Sequence, residues 1–442
     1  MRATRRAPLM IAAAVSAAVL LTTAAAGRAQ LIGPAIDPLL RQVLAATAAN
    51  QPVEAVVTFS QFPNVLDLAA VRATGVQVAQ LRVLPMVGVR GTPAQIASLF
   101  ALPGVRSVYY NRQLTYFLNQ SVAAIGADRV KNELGYTGRG VGIAVIDTGI
   151  DTTHPDLPYG SKVVQNVKVQ FGFYGSGGVF VENLAVTDTT SGHGTHVSSI
   201  LGGTGAALAG TYTGVAPGSH LVGLGAGETF VMLSAIEAFD WVLANGPAYG
   251  IKIISNSYGT DGPFSPDAPI NVATKRAHDA GMVVVFAAGN HGPGSNTINP
   301  YCVAPWVVCV AAGHKDGRTL ADFSSRGIAG DALYHPTITA PGVDVIAARA
   351  KTGVWFNQTI ASDHARIGAD AVSYMIVSGT SQATPHVSGT VALMLEANPA
   401  LTPDQVKDIL TRSATPMPGY AEYQVGAGYL NAYEALRAVL NP

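Results

Sequence analysis

Four short, almost unbroken apolar runs limit what this chain can fold into: Val141 to Ile146, Ile251 to Asn256, Met282 to Ala288 and Trp306 to Ala312. Each is of strand length and rich in Val, Ile or Ala, the pattern of a strand buried on both faces. Helix-like stretches separate them, at His193 to Gly202, Phe230 to Asn245 and Ile270 to Gly281. A further strand is expected at His220 to Leu224, and one at Tyr374 to Val377 leads into a helix beginning near Ser381. Strands and helices in alternation imply an α/β fold, a mostly parallel sheet with helices on both faces. A late helix, Pro403 to Ser413, carries its own start signal in Thr402, Pro403 and Gln405.

Residues 30 to 117 read differently. Strands at Val53 to Ser60, Val76 to Leu84, Met86 to Arg90 and Val105 to Tyr110, with helices at Val65 to Ala73 and Thr92 to Leu102, give β-α-β-β-α-β. That is a small α+β, ferredoxin-like unit. Before it, Arg2, Arg5 and Arg6 precede an apolar run from Leu9 to Leu21 and then small residues, the layout of a secretory leader. Cleavage is expected after Gly27-Arg28-Ala29, with Ala24-Ala25-Ala26 as the alternative, which makes the protein secreted.

A chain of 442 residues accommodates two or three units. With 27 basic and 27 acidic residues there is no electrostatic case for nucleic acid. The two cysteines, Cys302 and Cys309, are expected to pair in an oxidising compartment, the alternative being two buried thiols.

The chemistry is concentrated in three motifs: Val-Ile-Asp147-Thr-Gly, Gly-His193-Gly-Thr-His196, and Gly379-Thr380-Ser381-Gln382-Ala-Thr-Pro385-His. A serine hydroxyl attacks only when a base takes its proton, and the base needs an oriented carboxylate. Asp147 ends a buried strand, His193 starts a helix between glycines, and Ser381 stands where a strand gives way to a helix whose N-terminus favours negative charge. The Asp-Thr-Gly triplet also occurs in aspartic proteases, but a second such triplet is missing here. A metal reading of His193 and His196 lacks an acidic third ligand.

Asp, then His, then Ser is the chain order of subtilisin, and over roughly its last three quarters the sequence resembles the subtilisin-like serine protease family, the subtilases. The resemblance implies a subtilisin-like three-layer fold over 119–442, a leader at 1–29, and a propeptide at 30–118 that inhibits and chaperones the enzyme. Maturation would fall between Asn111 and Gln120. It implies that Asp147, His193 and Ser381 are catalytic, and that Asn290 in Ala287-Ala288-Gly289-Asn290 is an oxyanion donor. Ser255, Ser257 and Gly259 would pair with the substrate backbone, opposite Ala288 and Gly289, in a pocket taking large apolar side chains. His291 would lie at the pocket rim or in a solvated loop. Gln382 stands where the family usually has methionine, a substitution expected to resist peroxide.

No cofactor is needed for such chemistry. A structural calcium is the one metal expectation, with Asp151 as candidate, although 205–214 lacks acidic and amide ligands. The expected partners are protein or peptide substrates and the chain's own propeptide, and the enzyme is expected to be a monomer. A tripeptide-releasing or processing protease, a silent binding module and an esterase of another fold stand as alternatives. The stretch Lys351 to Ser373 is longer than a compact subtilisin needs and has no functional reading.

Overall fold

The computed structural model describes residues 34–81, 84–111, 121–170, 179–227 and 231–441. The expected leader and the expected maturation region, apart from Asn111, lie outside them. The chain divides into two compact units, Met1–Thr115 and Tyr116–Pro442.

The first unit carries five strands: β1 (Ala35–Ile36), β2 (Val53–Phe59), β3 (Gln77–Gln80), β4 (Met86–Gly91) and β5 (Val105–Tyr110), in the order β1-β5-β2-β4-β3. Along β2, Val53, Ala55, Val57 and Phe59 are buried while Glu54 points to water, the period-2 pattern of a sheet covered on one face. Leu68 and Val71 of the helix Val65–Ala73, and Ile96 of the helix Pro93–Ser98, close that face. Both helices begin with the reciprocal cap in which side chain and backbone exchange hydrogen bonds, at Asn64/Asp67 and at Thr92/Gln95. The strand expected over Val76 to Leu84 is shorter than that reading. An additional helix, Pro38–Ala46, was not anticipated. Asp37 caps it through Leu39 N and also accepts from Tyr110 N, so one carboxylate ties the helix start to the last strand.

The second unit is built on an eight-stranded sheet. Its strands are β6 (Gly142–Asp147), β7 (Val163–Gln170), β8 (Val179–Val181), β9 (His220–Gly225), β10 (Ile251–Asn256), β11 (Val283–Ala287), β12 (Val307–Gly313) and β13 (Ile338–Pro341). The order is β13-β12-β11-β10-β6-β9-β7-β8, parallel except for β8 on β7. Alternate residues of each apolar run serve opposite faces. Ile143, Val145, Ile253 and Val285 pack with Ala383, Val387 and Val391 on one side; Ala144, Ile146, Ile254 and Val284 pack with Phe239, Trp241 and Ala277 on the other. This is the α/β, three-layer arrangement the runs implied. A separate antiparallel pair, β14 (Val345–Ala348) with β15 (Tyr374–Val377), precedes the long helix Thr380–Ala397.

Chain order locates the site. After β6 the chain runs out to β7 and β8, comes back to β9 beside β6, then crosses to β10 on the other side. In open α/β sheets the crevice at such a switch point, beyond the carboxyl ends of the strands, is where ligands bind. Asp147 is the last residue of β6. Behind it, Cys302 and Cys309 are joined in a disulfide.

Closing so short a loop restricts the unfolded chain by about 2–3 kcal/mol. Replacing both cysteines with alanine, in a Ser381→Ala background to prevent self-digestion, is therefore expected to lower the urea midpoint by the equivalent of that free energy. An unchanged midpoint would show that the bond adds nothing.

Candidate active site

Asp147 is almost fully buried at the end of β6. Its Oδ1 accepts from Thr148 N at 2.8 Å and meets His193 Nδ1 at 2.7 Å. A carboxylate only accepts, so Nδ1 carries the proton and Nε2 is left as the basic nitrogen. Burial of the ring opposes its charged form, but the Asp147 charge and hydrogen bond outweigh it and raise the His193 pKa above the ordinary histidine value.

His193 is the first residue of the helix His193–Gly202, and the chain leading to it is gathered by Asp188. The Asp188 carboxylate accepts from Gly192 N, Thr195 N, Thr195 Oγ1 and Thr148 Oγ1, at 2.7–3.1 Å. Thr148 Oγ1 in turn accepts from Gly194 N at 2.8 Å, joining the Asp147 strand to the His193 helix. Burial raises the Asp188 pKa despite these donors, which pull the other way. Gly194 is required here, because a Cβ would collide with the Gly149 carbonyl. His196, one turn on, is buried with Nε2 3.3 Å from Met375 O. Burial, helped by His193, pushes its pKa down to about 3, so it stays neutral.

Ser381 is the second residue of its helix. Pro385 has no N–H to give to the Ser381 carbonyl four residues back. That carbonyl accepts from Ser257 Oγ at 2.9 Å instead, and Ser381 Oγ donates to Ser257 O at 2.9 Å. The two serines thus lock the exit of β10 to the start of the helix. In this arrangement the Ser381 hydroxyl is bonded to Ser257 O.

Asn290 is oriented by Thr380, whose N and Oγ1 both donate to Asn290 Oδ1 at 2.9 and 3.0 Å. Its oxygen being committed, Nδ2 is free to donate. A Cβ built on Gly379 would lie 3.5 Å from Asn290 Nδ2 and 3.6 Å from Ser381 N. The same point is 2.7 Å from Gln382 Oε1, and the two nitrogens lie near one another beside the serine, with Asn290 Nδ2 uncommitted. Gln382 is buried, and its Nε2 has no hydrogen-bond partner among the described residues.

The expected substrate walls divide. Ser257, Gly259, Ala288 and Gly289 lie just beyond the strand ends. Ser255 does not: it is paired with Val145 and Val285 inside the sheet, and its hydroxyl accepts from Ser388. Its main chain has nothing left for a substrate. Asn299, which no motif singled out, bridges the two walls by donating to Tyr258 O and Ala287 O at 3.1 and 2.9 Å. His291 belongs to the solvated loop of the two readings: it is exposed, its Nδ1 2.9 Å from Oδ1 of the still more exposed Asp261.

Asp151 does not fit a calcium ligand. Its Oδ1 accepts from Thr153 N and Oγ1, and its Oδ2 from Lys351 N. Those N–H and O–H groups take both lone pairs of Oδ1 and one of the two on Oδ2, leaving little for a cation. Among the described residues no cluster of three His, Cys, Asp or Glu side chains stands ready for a metal.

The balance at His193 gives a sign that can be tested. Its ring is expected to titrate above about 6.5 by NMR of the imidazole nitrogens. Asp147→Asn removes the two larger raising influences and leaves burial opposed only by the weaker Asp188 charge, so the midpoint is expected to fall. A midpoint unmoved by Asp147→Asn would mean that the carboxylate does not govern the ring.

Comparison with known proteins shows the family of the chain. A family model described as the subtilase family matches residues 138–429. The serine protease AprX of Bacillus subtilis is 34% identical over 344 residues, covering 74% of this chain and 73% of that protein. Subtilisin Savinase of Lederbergia lenta is 32% identical over 309 residues, covering 69% and 93%. Among solved structures, Sphericase matches with a TM-score of 0.54 at 30% identity, over 67% of this chain and 92% of that one. Fervidolysin from Fervidobacterium pennivorans, at 20% identity, shares the fold, with a TM-score of 0.56 over 92% of this chain and 63% of its own. The chain belongs to the subtilase family and is a subtilisin-like serine endopeptidase.

Proposed function

We propose that Asp147, His193 and Ser381 form the triad of this endopeptidase, and that it is made as a secreted, self-processing zymogen. The observation that carries the reading is the 2.7 Å bond between His193 Nδ1 and Asp147 Oδ1. For attack, the Ser381 hydroxyl exchanges its bond to Ser257 O for His193 Nε2. The oxygen then adds to the scissile carbonyl while His193 takes the proton. Asn290 Nδ2 and Ser381 N hold the oxyanion. His193 returns the proton to the leaving amine, and water repeats the sequence on the acyl-enzyme.

The substrate backbone runs along Ser257 to Gly259, and the pocket beside Ala288 and Gly289 takes large apolar side chains. Residues 1–29 act as the leader, 30–118 as the inhibitory propeptide, and 119–442 as a monomeric peptidase. The alternation of buried and exposed residues in the first unit, a small folded body of its own, supports the propeptide assignment.

Wild type and Ser381→Ala, expressed side by side without other proteases, test self-processing. Intact mass is expected to show wild type cut between Asn111 and Gln120 and the variant uncut there. Identical maturation of both would sink the role of Ser381. In the matured enzyme, Asn290→Ala is expected to lower kcat by about 10²–10³-fold with little change in KM, the usual size for one oxyanion donor. A kcat within twofold of wild type would remove Asn290 from the mechanism.

A further inference from the structure

The stretch without a sequence reading stands at the catalytic histidine. Residues 349–373 leave and return between Ala348 and Tyr374, which face each other in the β14–β15 pair. An ordinary hairpin would close there in two to five residues, roughly. Instead the chain forms a helical turn Val354–Asn357, a helix Ile360–Ile367 and a further turn Gly368–Val372.

Buried Arg349 holds this excursion in one shape. Its Nε donates to Ala371 O and Tyr374 O, at 2.8 and 3.2 Å. Nη1 donates to Phe356 O at 2.9 Å, and Nη2 pairs with buried Asp363. One guanidinium thus binds both ends of the excursion and the carbonyl of Phe356.

The near end is fastened to the chain before His193. Lys351 N donates to Asp151 Oδ2 at 2.8 Å, Thr352 Oγ1 to Asp188 O at 2.5 Å, and Trp355 N to Thr190 O at 3.1 Å. A Cβ on Gly192 would meet Gly353 Cα and Phe356 Cδ2 at 3.6 Å, ordinary contact distance, and the φ of +86° there favours glycine. The Phe356 ring consequently stacks on the His193 imidazole, centroids 6.3 Å apart and planes 24° from parallel. Beside it, Trp355 and Val354 are 56% and 61% exposed.

Two large apolar side chains held rigidly in water next to a general base are placed where substrate passes. The side of the scissile bond follows from the contacts. The acyl half of the substrate is read by the exits of β10 and β11, whereas the contacts above run to 151 and 188–192, on the His193 side. His193 is also the group that hands a proton to the departing amine. We infer that Val354, Trp355 and Phe356 form a subsite for an apolar side chain on the residue immediately following the scissile bond. This rests on the proposed triad, and Trp355 is its main contact.

Partitioning of the acyl-enzyme tests it on the matured full-length enzyme. A peptide ester acylates Ser381, and glycinamide, leucinamide or phenylalaninamide then competes with water. In the competing step the amine nitrogen attacks the acyl carbon, and the bond to Ser381 Oγ breaks. The amine's proton passes through His193 to Ser381 Oγ. The ratio of amide to acid product reads binding on the leaving-group side alone and does not depend on how much enzyme is active.

Wild type is expected to favour leucinamide and phenylalaninamide over glycinamide by about tenfold or more, the scale on which an apolar pocket discriminates. Trp355→Ala is expected to lose most of that preference and Trp355→Phe to keep it. A wild type without preference, or a Trp355→Ala ratio equal to wild type, overturns the subsite. Failure of the ester to acylate Ser381 at all is a different result and defeats the triad reading on which the subsite stands.

Discussion

The site depends on a carboxylate taken out of water at the end of a strand. Asp147 sits among apolar strands at the point where the sheet reverses its direction of growth. A buried carboxylate is tolerated only when donors surround it. Thr148 N and the His193 ring supply them, so satisfying Asp147 and orienting His193 are the same act. From this follow the crowding at Gly149 and Gly194, where the His193 helix must come within contact of β6, and the clasp of Asp188 on Gly192 and Thr195. The fixed tautomer of His193 is the outcome of these contacts.

How much of this was legible in the sequence depended on where each residue's partners lie. The central strands could be read because their sides face apolar helices whatever else the chain does. The outer strand β7 could not, since Gln165, Asn166 and Lys168 break its pattern. They are bonded to partners met only after folding: Asn166 to Ile150 and Leu184, Lys168 to Thr187, and Gln165 to Asn183 and Tyr249. The three motif residues were visible because short-range requirements, a strand end and two helix starts flanked by small residues, surround them. Asp188 and Asn299 carry no such local signature, and their value lies in carbonyls and N–H groups drawn from separate segments. Ser255 was misread for the opposite reason: its local motif suggested an open edge, while β11 covers that edge.

The Ser381 helix shows the same division between local rule and tertiary use. Proline in the second turn of a helix leaves one carbonyl without its partner. Here that carbonyl is Ser381 O, and Ser257 takes it up, so a helix defect becomes the joint between Ser381 and the exit of β10. The same helix buries two polar nitrogens without partners among the described residues, Gln382 Nε2 and His386 Nε2. Burial pushes the His386 pKa down to about 4 and keeps the ring neutral, which limits the loss. A buried polar group left unpaired opposes folding by about 1–3 kcal/mol. Their concentration below Ser381 means that this part of the core is shaped by the position of the serine at some expense of stability.

Arg349 and Asp363 make the related point about the excursion over His193. A buried ion pair is weak support for stability, because desolvation offsets much of the attraction, yet removing one partner is strongly destabilising. Its effect is to make one conformation far better than the neighbouring ones. The Arg349 donors reach Ala371, Tyr374, Phe356 and Asp363 together only when residues 354–357 sit against Gly192. A flexible hairpin would leave a tryptophan free to fold onto the surface and hide its area from water. The guanidinium holds the backbone carbonyl of Phe356 instead, and Trp355 stays exposed next in sequence to the ring that stacks on the imidazole. The exposed ring and the buried ion pair are thus parts of one arrangement, in which an unfavourable exposure persists because a rigid interior contact leaves it no alternative.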